Sequence, residues 1–188
     1  MYENQIVTEP KWKSWIIQTT KPLFTPEQCK KIIECGRRQP PQQAKVGMGR
    51  PGGGTDTKKR ITTVSWLPFG EMEPMYRDLN KFIQTCNENH FGFGDIRVTE
   101  NAQFTEYPEG GFYDWHMDCD VNMQHEPPVR KISMTLLLND PSEFEGGHLE
   151  LMAPGRFAEL KQGHAIVFAS FLNHRVNPVT RGVRQSLV

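Results

Sequence analysis

The sequence predicts an α+β domain, mainly β, in which N-terminal helices brace one face of a β-sandwich or barrel. Both segments with helical periodicity lie in the first half of the chain. Beyond Phe91 the apolar residues fall into about six short runs separated by Gly, Pro, Asn and Asp. No internal repeat is visible, and helices followed by strands point to a sheet pair with helices on one side. With 188 residues, 37% hydrophobic and 23% charged, the chain sits in the globular range and is long enough for one domain to bury a core unaided.

The first helix is announced by Thr25-Pro26-Glu27-Gln28: a hydroxyl N-cap, proline at the first helical position and glutamine at the third. It should run to about Gly36 and bury Cys29, Ile32 and Ile33. The second spans Glu71 to about Asn87, where Met75, Tyr76, Leu79, Phe82, Ile83 and Cys86 form one continuous stripe. Strands are expected near 13–18 and 60–66, then at 96–107, 111–118, 130–138, 147–152, 164–170 and 182–188. The reading is one domain over 1–188, with 1–94 supplying helical support and 95–188 the β core. Within the support, 39–59 holds Pro40, Pro41, Pro51 and five glycines, the composition of a lid, a binding loop or a solvated loop. From Arg37 to Arg60 seven basic residues face one acid, Asp56.

The 22 Lys+Arg balance the 22 Asp+Glu, so no overall field draws the protein to nucleic acid or an anionic membrane. No apolar run approaches a membrane span, and Met1-Tyr2-Glu3-Asn4-Gln5 has neither a basic nor an apolar leader region. The expected location is the cytoplasm. Cys29, Cys35, Cys86 and Cys119 follow neither a disulfide framework nor a zinc clamp, and are expected to be reduced.

Chemistry concentrates in Tyr113-Asp114-Trp115-His116-Met117-Asp118-Cys119-Asp120. On an extended strand, His116 and Asp118 share a face and can converge on one ion; the alternative is a solvated His/Asp pair. Asp120 would share that face if the strand continued. Trp115, beside His116, is either core or part of a substrate wall. Among the other histidines, His148 alternates with Glu150 and Met152 opposite Leu149 and Leu151, and should look toward solvent. His164 opens a strand, His90 ends a helix and His125 sits in a Pro-rich loop, none with a partner residue. His174 follows a buried-looking strand, and ten residues later comes Arg184 in an apolar run. A guanidinium buried there demands an anion, and its planar fork suits a carboxylate, so a small diacid is a natural counter-ion. Alternation separates Arg184 and Ser186 from Val183 and Leu187 without saying which face is inside.

His116-x-Asp118, a distant His174, Arg184 and then Ser186 resemble the iron(II)- and 2-oxoglutarate-dependent dioxygenases. Gln103 to Tyr107 before a Gly-rich turn, Arg130 to Asn139, Phe144-Glu145-Gly146-Gly147 and His174 to Gly182 narrow this to the prolyl 4-hydroxylase-type branch, with bacterial and phage PKHD-type hydroxylases most similar. The likeness spans about 95–188. Leu137 stands where much of that branch has tyrosine, and Arg184 where many relatives have lysine. Such relatives commonly continue with more strand past the point where this sequence ends, at Val188.

The resemblance implies a double-stranded β-helix, a cupin-like jelly roll, with the helices bracing its larger sheet. His116, Asp118 and His174 would form a facial triad for Fe(II), and Arg184 would hold the distal carboxylate of 2-oxoglutarate with Tyr107 and Ser186. Ser133, Thr135 and Leu137 would line the cavity. The implied reaction hydroxylates a C–H bond, most readily of a peptidyl proline as in procollagen-proline 4-dioxygenases, while dioxygen converts 2-oxoglutarate to succinate and CO2; ascorbate would be an accessory reductant. A peptide or protein is the implied substrate, with no nucleic-acid or membrane partner, and the oligomeric state is open. The competing readings are a cupin-like module that binds metal or ligand without turnover, a hydroxylase of free amino acids or other small molecules, a zinc hydrolase, and a Ser170/His174/Asp hydrolase.

Overall fold

The computed structural model describes residues 14–43, 56–119 and 129–188. The segment 44–55 of the basic loop, Asp120 and His125 lie outside these. Among the described residues no helix is long and apolar enough to cross a membrane.

Helix α1 (Pro26–Arg38) begins as the sequence dictates: the Thr25 hydroxyl accepts from the Gln28 amide, and the Gln28 side chain accepts from the Thr25 amide. It stops at Gln39, ahead of Pro40, which disfavours helical backbone before it. Cys29, Ile32, Cys35 and Gly36 are its buried residues, while Ile33 is only partly covered. Helix α2 (Glu73–Cys86) buries Met75, Tyr76, Leu79 and Cys86, and then widens into a π-helical turn, Asn87–Phe91.

The strands in chain order are β1 (Ile16–Gln18), β2 (Gln42–Gln43), β3 (Arg60–Ile61), β4 (Thr63–Trp66), β5 (Gln103–Tyr107), β6 (Phe112–His116) and β7 (Ile132–Leu137), followed by β8 (Phe144–Gly146), β9 (Leu149–Leu151), β10 (Phe157–Ala158), β11 (Ala165–Ala169), β12 (His174–Val176), β13 (Val179–Gly182) and β14 (Arg184–Leu187). They form a major sheet ordered β1-β11-β7-β14-β5-β4-β2, a minor sheet ordered β10-β9-β12-β6-β3, and the pair β13-β8. All pairings are antiparallel. From β5 on, the chain passes back and forth between the major sheet and the other two, the winding of a jelly roll.

Two departures from the expected strands have local causes. Residues 96–102 are not strand, because their amides turn to helix α2: Val98 N–H donates to the Asn80 side chain and Ala102 N–H to the Tyr76 hydroxyl. The run 60–66 splits between the two sheets at Thr62, whose hydroxyl donates to the Glu106 carbonyl at 2.7 Å.

Register decides which face is which. Phe104, Leu136, Ala165 and Leu187 pack with Cys29, Ile32, Met75 and Leu79, so the helices cover the outer face of the major sheet. Gly36 lies so close that a Cβ there would sit 2.3 Å from the Phe104 ring. Alternation then turns Thr105, Tyr107, Ser133, Thr135, Leu137, Ile166, Phe168, Arg184 and Ser186 inward. There Tyr107, Ile166 and Phe168 meet Leu149, Leu151, Val176 and Val179. The space between the sheets is therefore apolar in part and lined by hydroxyls and one guanidinium in the rest.

Candidate metal centre

Two central strands of the minor sheet bring together residues far apart in sequence. Strand β12 pairs with β6 so that His174 lies opposite His116. Asp118 follows just beyond β6, its amide donating to the Ser170 carbonyl at 3.0 Å. One ligand atom from each of His116, Asp118 and His174 lies within 4.8 Å of the others, a set that could hold a metal ion. Each histidine Nε2 stands 3.6 Å from an Asp118 oxygen.

The imidazoles are aimed by their own strands. Nδ1 of His116 lies 2.8 Å from the Asp114 carbonyl, and Nδ1 of His174 lies 3.0 Å from that of Leu172. A carbonyl only accepts, so each Nδ1 carries the proton and each Nε2 offers its lone pair to the site. Burial, reinforced by the neighbouring His174, pushes the His116 pKa down to about 4, which leaves its imidazole neutral and able to offer a lone pair near neutral pH. Burial by itself would raise the Asp118 carboxyl. Its interactions with the two adjoining histidines, the Ser133 hydroxyl and Arg130 outweigh it and hold the group below the ordinary carboxylate value. Ser133 is itself held by the Ser170 hydroxyl at 2.9 Å, so Ser170 braces Asp118 through both its hydroxyl and its carbonyl.

Strand β6 carries a bulge. His174 pairs with His116 but Val176 with Tyr113, so Asp114 and Trp115 together oppose Arg175. Simple alternation puts Tyr113 and His116 on opposite faces; the bulge stacks their rings 3.5 Å apart instead. The guanidinium of Arg60, on β3, lies 4.3 Å from the Tyr113 ring centroid, and its Nε is buried with no hydrogen-bond partner among the described residues. Burial raises the Tyr113 phenol while the Arg60 charge opposes it. Arg130 grips Glu100 through Nε and Nη2. Tyr113 and Arg60 escape a reading based on strand period, because one depends on a bulge and the other follows a loop-like run. Trp115 points away from the site, under Arg175.

The other anticipated side chains lie on the facing sheet. Phe168 joins the two sheets at the site, its ring centroid 4.7 Å from that of His174. Arg184 is 3% exposed, pairs in register with Tyr107 and donates from Nη1 to the Ser186 hydroxyl at 2.9 Å. No carboxylate forms an ion pair with it among the described residues. Desolvation pulls its pKa down, with only the Tyr107 phenol acting the other way. Gly147 makes room for it: φ is +63° there, and a Cβ would come within 2.9 Å of the Arg184 Cδ. His148 is exposed as expected, His164 is bonded to Thr19, and Glu150 is buried, contrary to a polar outer face turned to solvent.

Residues 102–188 match the family model of the 2OG-Fe(II) oxygenase superfamily. This part of the chain is similar to a 2OG-Fe(II) oxygenase domain. A PKHD-type hydroxylase of Acidovorax ebreus is 36% identical over 93 residues, which is 47% of this chain and 41% of that protein. A PKHD-type hydroxylase of Stenotrophomonas maltophilia is 34% identical over 123 residues, 61% of this chain and 54% of that protein. The matched stretch thus spans about half or less of these relatives' length. Among solved structures, the viral collagen prolyl hydroxylase of Paramecium Bursaria Chlorella virus-1 in its 2OG complex superposes with a TM-score of 0.70 at 19% identity, covering 93% of each chain. That likeness shows the fold, a jelly roll.

Proposed function

We propose that the chain is an Fe(II)- and 2-oxoglutarate-dependent hydroxylase of peptidyl proline. The observation that carries this reading is the convergence of His116, Asp118 and His174, with both Nε2 lone pairs turned to one point, in a family named for Fe(II) and 2-oxoglutarate. These two imidazoles and one carboxylate fit a ferrous ion and leave coordination positions open for an oxygen-donor cosubstrate. When bound, the iron and 2-oxoglutarate supply the oxidation of a substrate C–H bond, with succinate and CO2 as coproducts.

The chain's own residues hold and shield these partners. Asp118 is kept ionised by its surroundings, the Ser133 hydroxyl and Arg130 among them, and His116 is kept neutral by burial. Arg184, with Ser186 on one Nη and Tyr107 alongside, presents its remaining N–H groups to the distal carboxylate of 2-oxoglutarate. A metal hydrolase would leave that guanidinium without a counter-ion. The Tyr113 ring, stacked on His116, and the Arg60 guanidinium over it would form a wall that a peptide crosses. A proline-containing peptide is favoured because the chain shares its fold with a collagen prolyl hydroxylase and its sequence with PKHD-type hydroxylases.

The test is iron-dependent succinate formation against a panel of proline-containing peptides and free amino acids, with products analysed for one added oxygen. Oxygen gain on a peptidyl proline is the expected result. Succinate coupled only to a free amino acid would replace the peptide substrate, and no iron-dependent succinate with any member would overturn the reading.

A further inference from the structure

Glu150 lies on the outer face of the minor sheet, yet it is only 3% exposed. Its carboxylate accepts from Arg175 Nε at 2.6 Å, from the Gly155 amide at 3.0 Å and from Asn177 Nδ2 at 3.2 Å. Arg175 in turn lays its guanidinium 5.0 Å from the Trp115 ring centroid. A buried carboxylate, an arginine and an indole therefore run across three adjacent strands, β9, β12 and β6, on the face opposite the candidate metal ligands.

Each member is tied to a ligand. Arg175 follows His174, and Trp115 precedes His116, so each shares a peptide unit with a histidine that projects through the other side of the sheet. Arg175 is also the residue opposite the bulge, and Trp115 is one of the two bulged residues. A bulge interrupts the ladder of hydrogen bonds and re-aims side chains, so its geometry needs another restraint. The ring of His116 is bonded to the Asp114 carbonyl inside the same bulge, so any change in the bulge turns the imidazole with it.

We infer that Glu150, Arg175 and Trp115 act as positioning residues: they pin the β6 bulge from outside and so hold His116 and His174 in the arrangement that accepts a metal ion. This rests on the metal reading above and adds a second layer to it. Partners that orient metal-bound histidines change affinity by about 10- to 100-fold when removed, and a restraint acting through the backbone belongs at the lower end of that range.

The experiment titrates the full chain with Mn(II), following the free-ion EPR signal, alongside near-UV circular dichroism and thermal unfolding of the metal-free protein. Arg175→Met removes the clamp but leaves Glu150 buried and unpaired, so Glu150→Gln/Arg175→Met, which removes both charges, serves as the folded version; Arg175→Lys keeps the charge. The expected result is Mn(II) affinity weakened about tenfold in the double variant with the metal-free spectrum retained, and partial recovery in Arg175→Lys. A purely structural role would lower the unfolding temperature and leave Mn(II) affinity within twofold, and that result overturns the inference. A wild-type chain that takes up no Mn(II) overturns the metal reading itself, and the positioning role with it.

Discussion

Replacing Arg184 by methionine has two consequences of opposite sign. The guanidinium is buried and meets only the Ser186 hydroxyl and the Tyr107 ring, at 5.6 Å from its centroid, with no ion pair among the described residues. Without a ligand this is a net burden on the fold, since moving a charge out of water costs several kcal/mol and replacing it with an apolar side chain of similar volume commonly stabilises by about 1–4 kcal/mol. Metal-loaded but 2-oxoglutarate-free Arg184→Met should therefore unfold at the wild-type temperature or above it, by about 2–4 °C per kcal/mol for a chain of this size. With 2-oxoglutarate the order reverses. Losing one partner of a buried, hydrogen-bonded charge pair costs about 2–5 kcal/mol, a rise of about 30-fold to over 1,000-fold in the 2-oxoglutarate Kd. At about 100 times its Kd the cosubstrate adds about 2.7 kcal/mol to the wild type, a shift of about 5–10 °C that the variant should lack at the same concentration. Thermal unfolding in Mn(II) with and without 2-oxoglutarate reads both. A variant that keeps the wild-type 2-oxoglutarate shift refutes the assigned anion site, and a ligand-free variant that melts well below wild type refutes the uncompensated-charge argument.

Other expectations follow from the packing and the site. Gly36→Ala would normally help a helix, but its Cβ would meet the Phe104 ring at 2.3 Å, so urea unfolding should show a loss of about 1–3 kcal/mol. Burial raises the Cys29 and Cys86 thiols from 9.0 to about 11, so their contribution to stability is complete below pH 9 and is lost as pH climbs toward 11. The urea midpoint should fall over that window, and less steeply in Cys29→Ala/Cys86→Ala. His116→Ala or Asp118→Ala should abolish both Mn(II) uptake and iron-dependent succinate formation; full turnover in either would remove that residue from the ligand set.

Much of this arrangement was legible in the sequence where one local rule decides it. The Thr25 to Gln28 capping box sets the start of α1 on its own, and the stripe from Met75 to Cys86 is helical by spacing. His116 and Asp118 share a side because they are two residues apart, but the approach of His174 depends on antiparallel pairing between β12 and β6, which no local pattern contains. The face of Arg184 was open for the same reason: it is settled by Leu187 and Phe104 packing against the helices, which turns Arg184 and Ser186 the other way. Tyr113 escaped because the bulge breaks the two-residue period. Glu150 escaped because its cover comes from Arg175 and Asn177 on the neighbouring strand and from the turn at Gly155. Thr62 divides one apparent strand between two sheets, a topological event that composition does not register.

Anaerobic titration with Mn(II), in the presence and absence of 2-oxoglutarate, addresses the candidate metal centre itself. One ion bound per chain, held more tightly once 2-oxoglutarate is added and lost with His174→Ala, is the outcome required by two imidazoles and a carboxylate converging on one ion and by a cosubstrate that Arg184 anchors. Binding indifferent to the loss of His174, or no stoichiometric binding at all, would contradict it.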